Sequence, residues 1–381
     1  MKLLINTSNL YVGGSLQIAL SFLNEIKKHD NEYHIFLSLA VKKQIDVKSF
    51  SNNFRFYTIN KTPASLKTRL MIVKQLTNLE ESINPDIVFT VAGPSYWKPK
   101  SRHLLGFNDG WVYNPKSTAY LKLSFFERLK MILHVEYKKY YLLRDSSYYV
   151  IETKDAQEKL AKVLNINDSK IYVVGNTYSS VFENIELLNS QNEDYIKLPA
   201  KTTTFRFLYI THNHPSKNLS IINDILNRAD NLDIEFVLTL DSKNYEKLFP
   251  IPNNKIINIG PIPQKSCPSV YSQCDALFAP TLLETFSAAY PESMKMECPI
   301  LTSNRSFATD ICKDAAIYFN PLDINDIVEK IKLIISSSEL QEDLIVKGKN
   351  MLHSFESAES RATKYLDICA EIVKDEYNES N

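Results

Sequence analysis

The sequence predicts an α/β protein built from two doubly wound parallel sheets. Short apolar runs of strand length alternate with segments of helical periodicity along most of the chain. Strands that alternate with helices in this way are typical of βαβ units, in which the strands run parallel. The length of 381 residues exceeds what one hydrophobic core usually serves, so two domains are expected.

The predicted first domain covers residues 1–183. Its opening strand, Leu3–Asn6, leads through a turn with Gly13 and Gly14 into a helix whose apolar residues recur at helical spacing. The remaining strands are predicted at 33–39, 54–59, 86–91, 103–111, 148–151 and 171–174, with a helix over 66–83.

Residues 184–204 are polar and lack periodicity, so we predict a linker there. A second domain over 205–360 follows. Residues 361–381 are predicted to form a last helix and tail, which packs back across both domains. The strands of the second domain are predicted at 205–210, 234–238, 255–260, 275–279, 298–303 and 315–321, and helices from 324 to about 376.

The composition is that of an ordinary globular protein, with 44% hydrophobic and 23% charged residues. The 44 basic residues balance 44 acidic ones, so nothing attracts the chain to nucleic acid in general. The five cysteines fall in the second half without a CxxC pair, as expected for free thiols in a reducing compartment. With no leader-like or membrane-spanning run, we expect a cytoplasmic protein, at most peripheral on the inner face of the cytoplasmic membrane.

Residues 116–144 are predicted to be helical, basic and aromatic. They contain seven Lys and Arg residues against Glu127 and Glu136. Such a helix suits the surface of an anionic membrane, but a helix that buries its apolar face in its own domain has the same pattern. The apolar stripe consists of Leu121, Phe125, Leu129 and Ile132.

The stretch most indicative of function runs from Pro280 to Met294. It joins the strand at 275–279 to a helix, with Glu284 in the turn and Glu292 eight residues later, inside the helix. Ligands of βαβ units bind outside the carboxyl ends of the strands. Helix N-termini attract phosphate and carboxylates accept hydrogen bonds from sugar hydroxyls, so the pattern fits a sugar nucleotide. Solvated surface carboxylates would show the same spacing.

Two further turns join a strand to a helix. The turn at 211–218 contains His212, Lys217 and Asn218, and a cation there suits an anion. Gly13 and Gly14 would let the backbone approach a bulky ligand, although a tight turn with positive φ is the alternative. Neither turn is a dinucleotide or ATP motif.

The first domain has two loops that we expect to open onto one crevice. One contains Tyr96 and Trp97, and the other follows the strand that begins at His103. A single histidine without partners also fits a purely structural role. The polar end of this second segment contains Asn108, Asp109 and Trp111.

Taken together, these segments resemble the retaining glycosyltransferases of family 4, which have the GT-B fold of two facing Rossmann-like domains. The resemblance covers nearly the whole chain and is strongest in the second domain. It rests on the signature of two glutamates separated by seven residues, on the diphosphate-binding turn, on the glycine pair and on one residue of an Asn-Gly segment between the domains. The matching residues are Glu284 and Glu292, Lys217 and Asn218, Gly13 and Gly14, and Asn176.

The resemblance implies that Glu284 faces the transferred sugar, Glu292 holds the nucleotide ribose and Lys217 neutralises the diphosphate. Asn108 and Asp109 align with a His-Asp pair of the family and are predicted to be catalytic together with Glu284 and Lys217. The predicted donor contacts are completed by Gly13, Gly14, His212, Asn218, Thr285, Phe286, Ser287 and Ala288, and the predicted acceptor side by Tyr96, Trp97, His103 and Trp111.

Five positions depart from the family pattern. His212 stands in the place of an arginine, and it supplies a positive charge only when protonated. Asn108 replaces the histidine of the His-Asp pair, and Thr177, Thr285 and Ser287 stand where glycine is usual.

The predicted function is transfer of a sugar, with retention, from a nucleotide-diphosphate sugar to a hydroxyl of a glycan or lipid-linked acceptor in bacterial surface-polysaccharide assembly. The sequence has no Asp-x-Asp motif, so we expect no metal and no other cofactor. Two alternatives are a GT-B protein that has lost catalysis and serves as a binding or scaffold partner, and another GT-B enzyme such as a sugar-nucleotide epimerase.

Overall fold

A computed structural model describes residues 1–11, 13–201 and 203–379, and only the backbone of residues 375–379. Val12 of the glycine turn, Thr202 of the predicted linker and residues 380–381 of the predicted tail lie outside the described residues. The chain forms two compact units. Unit 1 comprises Met1–Pro115, Leu129–Gly175 and Glu356–Asn381, and unit 2 comprises Lys116–Arg128 and Asn176–Phe355.

Unit 1 contains a sheet of seven parallel strands in the order β3-β2-β1-β4-β5-β6-β7. The strand order reverses between β1 and β4, which is the arrangement of a doubly wound sheet. Gly106 ends β5, where a Cβ atom would lie 2.0 Å from the carbonyl oxygen of Val91, so this position requires glycine. The strands are β1 Lys2–Asn6, β2 Glu32–Ser38, β3 Phe54–Ile59, β4 Ile87–Thr90, β5 Arg102–Gly106, β6 Tyr148–Ile151 and β7 Ile171–Val173.

Unit 2 contains six parallel strands in the order β10-β9-β8-β11-β12-β13, with the reversal between β8 and β11. The predicted α/β class with two doubly wound parallel sheets is therefore confirmed. These strands are β8 Phe205–Tyr209, β9 Ile234–Leu238, β10 Ile256–Asn258, β11 Ala276–Ala279, β12 Ile300–Ser303 and β13 Ala316–Phe319.

Fourteen α-helices connect the strands or follow them in the part of the chain that the structure describes. They are α1 Gly14–Glu25, α2 Leu39–Lys42, α3 Arg69–Ile83, α4 Gly110–Tyr113, α5 Phe125–Asp145, α6 Lys154–Leu164, α7 Ile221–Arg228, α8 Ser242–Leu248, α9 Cys267–Tyr271, α10 Ala289–Lys295, α11 Ser306–Cys312, α12 Ile324–Ser336, α13 Ser338–Leu352 and α14 Ala358–Glu379.

The prediction of one continuous helix over 116–144 is wrong for the residues before Phe125. Residues Thr118–Lys122 form a short 3₁₀ helix, and α5 begins separately at Phe125. Ser124 and Glu127 form a capping box: the Ser124 amide donates to the Glu127 carboxylate at 2.9 Å, and the Glu127 amide donates to the Ser124 hydroxyl at 3.4 Å. This motif starts a new helix, because it satisfies backbone donors that a continuous helix would use internally.

The units and the predicted domains have different boundaries. Residues 116–128 and 176–183 are part of unit 2, whereas residues 356–360 are part of unit 1. The last helix, α14, packs against α1 and the β4–β5 region of unit 1. Its Tyr365 ring lies 5.4 Å from that of Phe22 and 5.2 Å from that of Phe89. The C-terminal helix thus returns to the core of the first sheet.

Candidate functional site

The reversal point of the second sheet brings two polar loops together. Because β8 and β11 are neighbours, the loops that follow them leave the same edge of the sheet. The Leu282 amide donates to the Ser216 carbonyl at 2.7 Å, which ties the two loops to each other. Lys217 comes from the first loop and Glu284 from the second.

The first loop owes its shape to its own polar side chains. His214 caps the 3₁₀ turn Pro215–Lys217 and accepts a hydrogen bond from the Ser216 amide. Asn218 ends the turn in the left-handed region at φ 55°, a conformation that asparagine adopts more easily than most residues. The Asn218 side-chain amide donates to the Pro321 carbonyl at 3.0 Å. The loop is therefore held from both ends.

Lys217 and Glu284 form an ion pair in which the side chains are 13% and 21% exposed. Burial acts to lower the pKa of Lys217, but the negative charge of Glu284 and the nearby Tyr209 hydroxyl outweigh it, so the pKa lies above its ordinary value. The lysine therefore stays charged at neutral pH. Tyr209, the last residue of β8, is buried and hydrogen-bonds to the hydroxyl of Thr281.

His212 lies close to this pair but does not carry a stable charge. Burial lowers its pKa, and the neighbouring Lys217 lowers it further. The imidazole is therefore neutral at pH 7 when no ligand is bound. In the ligand-free site Lys217 is consequently the permanent cation, and His212 does not replace the arginine of the family pattern.

Glu292 lies on α10, eight residues after Glu284. Its surroundings differ from those of the Lys217–Glu284 ion pair. The Tyr271 hydroxyl lies 3.4 Å from its Oε2 atom, and burial raises the pKa of Glu292 to about 7. The carboxyl group thus changes its protonation state in the physiological range, which a surface carboxylate would not do.

The residues between Glu284 and α10 divide by burial. The Phe286 side chain packs into the core of unit 2, with its ring 6.3 Å from that of Phe355, so only its backbone is available to a ligand. Thr285 is also buried, whereas Ser287 and Ala288 are partly exposed.

In unit 1 the structure places Asp109 beside the loop that follows β5. Its Oδ1 atom accepts a hydrogen bond from the Trp111 amide at 3.0 Å and caps α4, and its Oδ2 atom pairs with Lys138. Both side chains of this ion pair are about one-fifth exposed, at 20% and 19%. Asn108 is partly exposed at the same place. The predicted Asn108–Asp109 pair is therefore near the edge of the sheet, with the aspartate already paired.

His103 lies inside unit 1 and not at its edge. Its Nδ1 atom donates to the Asp145 carbonyl at 2.6 Å, so its Nε2 atom accepts from the Thr90 hydroxyl at 2.8 Å. Burial lowers its pKa to about 4. His103 is the second residue of β5, roughly 10 Å from the carboxyl end at the usual rise of a strand. The predicted acceptor-side position of His103 does not agree with this placement.

The aromatic residues predicted for the acceptor side are buried to different degrees. Trp97 has no exposed surface, and its indole N–H donates to the Thr77 hydroxyl at 3.1 Å, so it is a core residue. Tyr96 and Trp111 are each 8% exposed. Tyr96 and Trp111 are the most exposed of the four predicted acceptor-side residues, although both are buried.

The glycine pair begins α1 at the reversal point of the first sheet. Both glycines are exposed, and a Cβ atom added to either would meet nothing within 4 Å. Gly13 has φ 79°, which strongly favours glycine, whereas Gly14 has no such restriction. The tight-turn interpretation therefore applies to Gly13, and the open space above both leaves room for a ligand.

Three further residues, Tyr209, Thr281 and Tyr271, contact the predicted ionic residues directly or through one another. Tyr209 and Thr281 support Lys217, and Tyr271 contacts Glu292. A signal was present for Tyr209, because a tyrosine with its polar hydroxyl ends the strand just before the polar turn. Tyr271 lies in a short helix that has no distinctive pattern.

The chain was compared with known proteins. Residues 191–351 match the family described as glycosyl transferases group 1, which agrees with the resemblance of the second domain. A sequence search of curated proteins finds no match. The segment that contains Lys217, Glu284 and Glu292 is thus similar to this family.

Solved structures with the same fold include glycosyltransferases. A glycosyltransferase from Rickettsia africae is 15% identical with a TM-score of 0.72, and the alignment covers 98% of each chain. Anabaena HepE in complex with UDP and glucose is 12% identical with a TM-score of 0.66, covering 97% of this chain and 100% of that one. WaaG, a glycosyltransferase involved in lipopolysaccharide biosynthesis, is 11% identical with a TM-score of 0.67, covering 96% and 99%. The fold is therefore GT-B, and together with the family match it supports a transferase.

Two further properties of the described residues bear on the predictions. No group of three or more His, Cys, Asp or Glu side chains among them could hold a metal ion, and the expectation of metal-independent chemistry stays a prediction. Nor is any described helix both long and apolar enough to cross a membrane.

Proposed function

We propose that the protein transfers a sugar from a nucleotide-diphosphate sugar to a hydroxyl acceptor. The observation that carries this proposal is the paired Lys217 and Glu284 at the reversal point of the second sheet, within the segment that matches the glycosyl transferases. A permanent cation next to a carboxylate suits a ligand that joins a phosphate to a sugar.

In this proposal the bond between the anomeric carbon and the phosphate oxygen breaks, and the acceptor oxygen bonds to the anomeric carbon. The proton of the acceptor hydroxyl passes to the departing diphosphate. Lys217 and the backbone amides of residues 285–288 stabilise the negative charge that develops on the departing diphosphate. Glu284 leaves its ion pair in part and accepts hydrogen bonds from sugar hydroxyls. Glu292 accepts those of the ribose, and Gly13 and Gly14 leave room for the ligand.

The finer features of the proposal are retention at the anomeric carbon and independence of metal. The resemblance to family 4 supports both. Asn108 and Asp109 would act on the acceptor side, where Asp109 exchanges its partner Lys138 for the incoming hydroxyl. Tyr96 and Trp111 would line that side, and Trp97 would hold their loop in place.

The proposed setting is the assembly of a bacterial surface polysaccharide in the cytoplasm, on the inner face of the membrane. The involvement of WaaG in lipopolysaccharide biosynthesis is in keeping with this setting. The predicted contact of residues 116–144 with an anionic membrane is part of the proposal. It is supported by the exposure of Phe125 and Phe126, which are 75% and 79% exposed.

The experiment that tests donor binding is a thermal-shift panel with UDP, GDP, ADP and CMP and their sugar conjugates. A ligand that binds the folded state raises the melting temperature. We expect a shift with one nucleotide family, and its loss in Lys217→Ala and Glu292→Ala. Lys332→Ala and Glu339→Ala change exposed charges elsewhere in unit 2 and should keep the shift. Absence of any shift from well-folded protein would contradict the proposal.

One observation favours a second candidate, a binding or scaffold partner without catalysis. Burial and then Lys217 lower the pKa of His212, so this residue supplies less positive charge than the arginine that the family has in its place. Nucleotide binding without transfer to any lipid-linked or glycan acceptor would favour this candidate. Release of free sugar or an epimer without an acceptor would favour the epimerase.

A further inference from the structure

Helix α5 has an apolar stripe that is exposed. In the part of α5 that belongs to unit 1, Leu129, Ile132, Leu133, Tyr140 and Leu143 are between 45% and 64% exposed. Their spacing places them on one side of the helix. The interpretation of 116–144 as a helix with a buried apolar face therefore does not hold for these residues.

A second apolar group lies at the start of α3, for which the sequence provided no signal. Leu66 is 76% exposed, Leu70 is 87% exposed and Met71 is 56% exposed. Single exposed leucines are common on protein surfaces. Three large apolar side chains within six residues, next to a second exposed stripe, form a patch of the kind that marks an interaction surface.

Arg69 joins the two groups. Its guanidinium lies 4.9 Å from the ring centroid of Tyr141 and 5.5 Å from that of Tyr137, both on α5. It also donates to the Tyr141 hydroxyl at 2.6 Å and to the carbonyls of Pro63 and Ala64. The buried arginine thus fixes the start of α3 against α5, so the two exposed groups lie on neighbouring elements of unit 1.

The charge of this region is positive. Residues 61–79 contain three lysines and Arg69 but no carboxylate, and Lys67 and Lys74 are exposed. In α5, Lys130 is exposed, and Asp145 is buried against Arg144. Glu136 is an exposed carboxylate there and is paired with Lys139 at 2.9 Å. Apolar side chains flanked by unpaired lysines complement the acyl chains and the phosphates of an anionic bilayer.

We infer that the exposed faces of α3 and α5 together form a docking surface for an anionic membrane, with Leu66, Leu70 and Leu133 entering the interface and Lys67, Lys74 and Lys130 meeting lipid phosphates. The inference extends the membrane contact proposed above from α5 to α3, and it depends on no step of sugar transfer. A second copy of the chain would bring these lysines against each other, which disfavours a self-association surface.

The test is co-sedimentation of the full chain with vesicles of phosphatidylglycerol and phosphatidylcholine, and with vesicles of phosphatidylcholine alone. The α3 variant is Leu66→Asp/Leu70→Asp, and the α5 variant is Leu129→Asp/Leu133→Asp. The matched control is Ile251→Asp/Val346→Asp, which replaces apolar residues of unit 2 that are 80% and 56% exposed. Tryptophan fluorescence checks that unit 1 remains folded, because both tryptophans lie there.

We expect binding to the anionic vesicles that weakens with salt, and a loss of about tenfold or more in partitioning for the α3 variant and for the α5 variant. The control should stay within about twofold of the unchanged protein. A loss confined to the α5 variant would overturn the role of α3 while leaving the contact of α5. Absence of binding to anionic vesicles would overturn the inference altogether. The inference would also be overturned if sedimentation velocity showed a dimer in the absence of lipid and the α3 substitutions made it monomeric.

Discussion

The predicted site residues of the two units lie in different surroundings. At the edge of unit 2, Lys217 and Glu284 pair with each other and remain partly exposed. In unit 1 the corresponding candidates His103 and Trp97 are buried, at 5% and 0% exposure, and their hydrogen bonds go to neighbours inside the unit. The same topology thus supports an accessible charged site in one unit and a polar structural network in the other.

The difference comes from where each residue lies along its strand or loop. Lys217 and Glu284 follow the last residues of β8 and β11, beyond the sheet, where they pair with each other. His103 lies at the amino end of β5, between Thr90 and the carbonyl of Asp145. A topological reversal defines where a crevice forms, but only residues past the strand ends reach it.

The largest effect that follows from this comparison concerns Lys217→Ala. We expect the affinity for the sugar nucleotide to fall about 100-fold, because the permanent cation of the site is lost and Glu284 is left unpaired beside the diphosphate. Isothermal titration calorimetry measures the change. Lys332→Ala is the matched control, and an unchanged affinity in Lys217→Ala would show that the diphosphate binds elsewhere.

The next effect concerns His103→Leu. Both hydrogen bonds of the ring are lost in the interior, so we expect unit 1 to lose about 2–3 kcal/mol in its free energy of unfolding. Urea denaturation followed by tryptophan fluorescence reports on unit 1, with His29→Leu as control. A stable but inactive His103→Leu variant would contradict the structural role of His103. It would indicate that His103 has a functional role, as we propose for Lys217 and Glu284 in unit 2.

The pH dependence of unit 1 provides a third test. In the folded protein the pKa of His103 is about 4, below its ordinary value of 6.5, so only the unfolded chain takes up this proton between those values. Stability should therefore fall as the pH drops from 6.5 toward 4, by about 2 kcal/mol at pH 5. In the His103→Leu variant, the free energy of unfolding should not show this part of the decrease as the pH falls. An equal slope in both proteins would contradict the burial of the neutral ring.

The pKa of Glu292 in unit 2 is shifted in the opposite direction to that of His103. Its pKa is raised to about 7 by burial, so the carboxylate that accepts ribose hydroxyls forms as the pH rises through 7. We expect the nucleotide affinity to increase about tenfold between pH 6 and pH 8. Glu292→Gln, which cannot titrate, should bind with little pH dependence. Titration calorimetry at both pH values measures this, and a persistent tenfold rise in Glu292→Gln would assign the effect to another group.

The smallest effect distinguishes the two glycines of unit 1. Gly13→Ala should lower the stability of unit 1 by about 1 kcal/mol, because φ is 79° there, although space for the methyl group is available. Gly14→Ala, at the first residue of α1, should change it by less than about 0.5 kcal/mol. Equal losses of stability for the two variants in the tryptophan-monitored denaturation would show that the positive φ of Gly13 does not require glycine.

Much of the fold could be predicted, because alternation of apolar runs and helical periodicity is a local property. The strands at 33–39, 234–238 and 275–279 were placed within one or two residues of β2, β9 and β11. The break before α5 was missed, since Ser124 and Glu127 form a capping box inside a segment whose composition stays helical. The identity of Lys217, Glu284 and Glu292 as candidates also came from local pattern and resemblance.

The sequence by itself determined the two parallel sheets and the polar turns that end their strands, because neighbouring residues decide both. The tertiary structure decided which candidates are accessible. It paired Lys217 with Glu284, enclosed His103 and Trp97, and left the apolar sides of α3 and α5 uncovered. Exposure, charge pairing and pKa depend on elements that are distant along the chain, and no local pattern specifies which elements those will be.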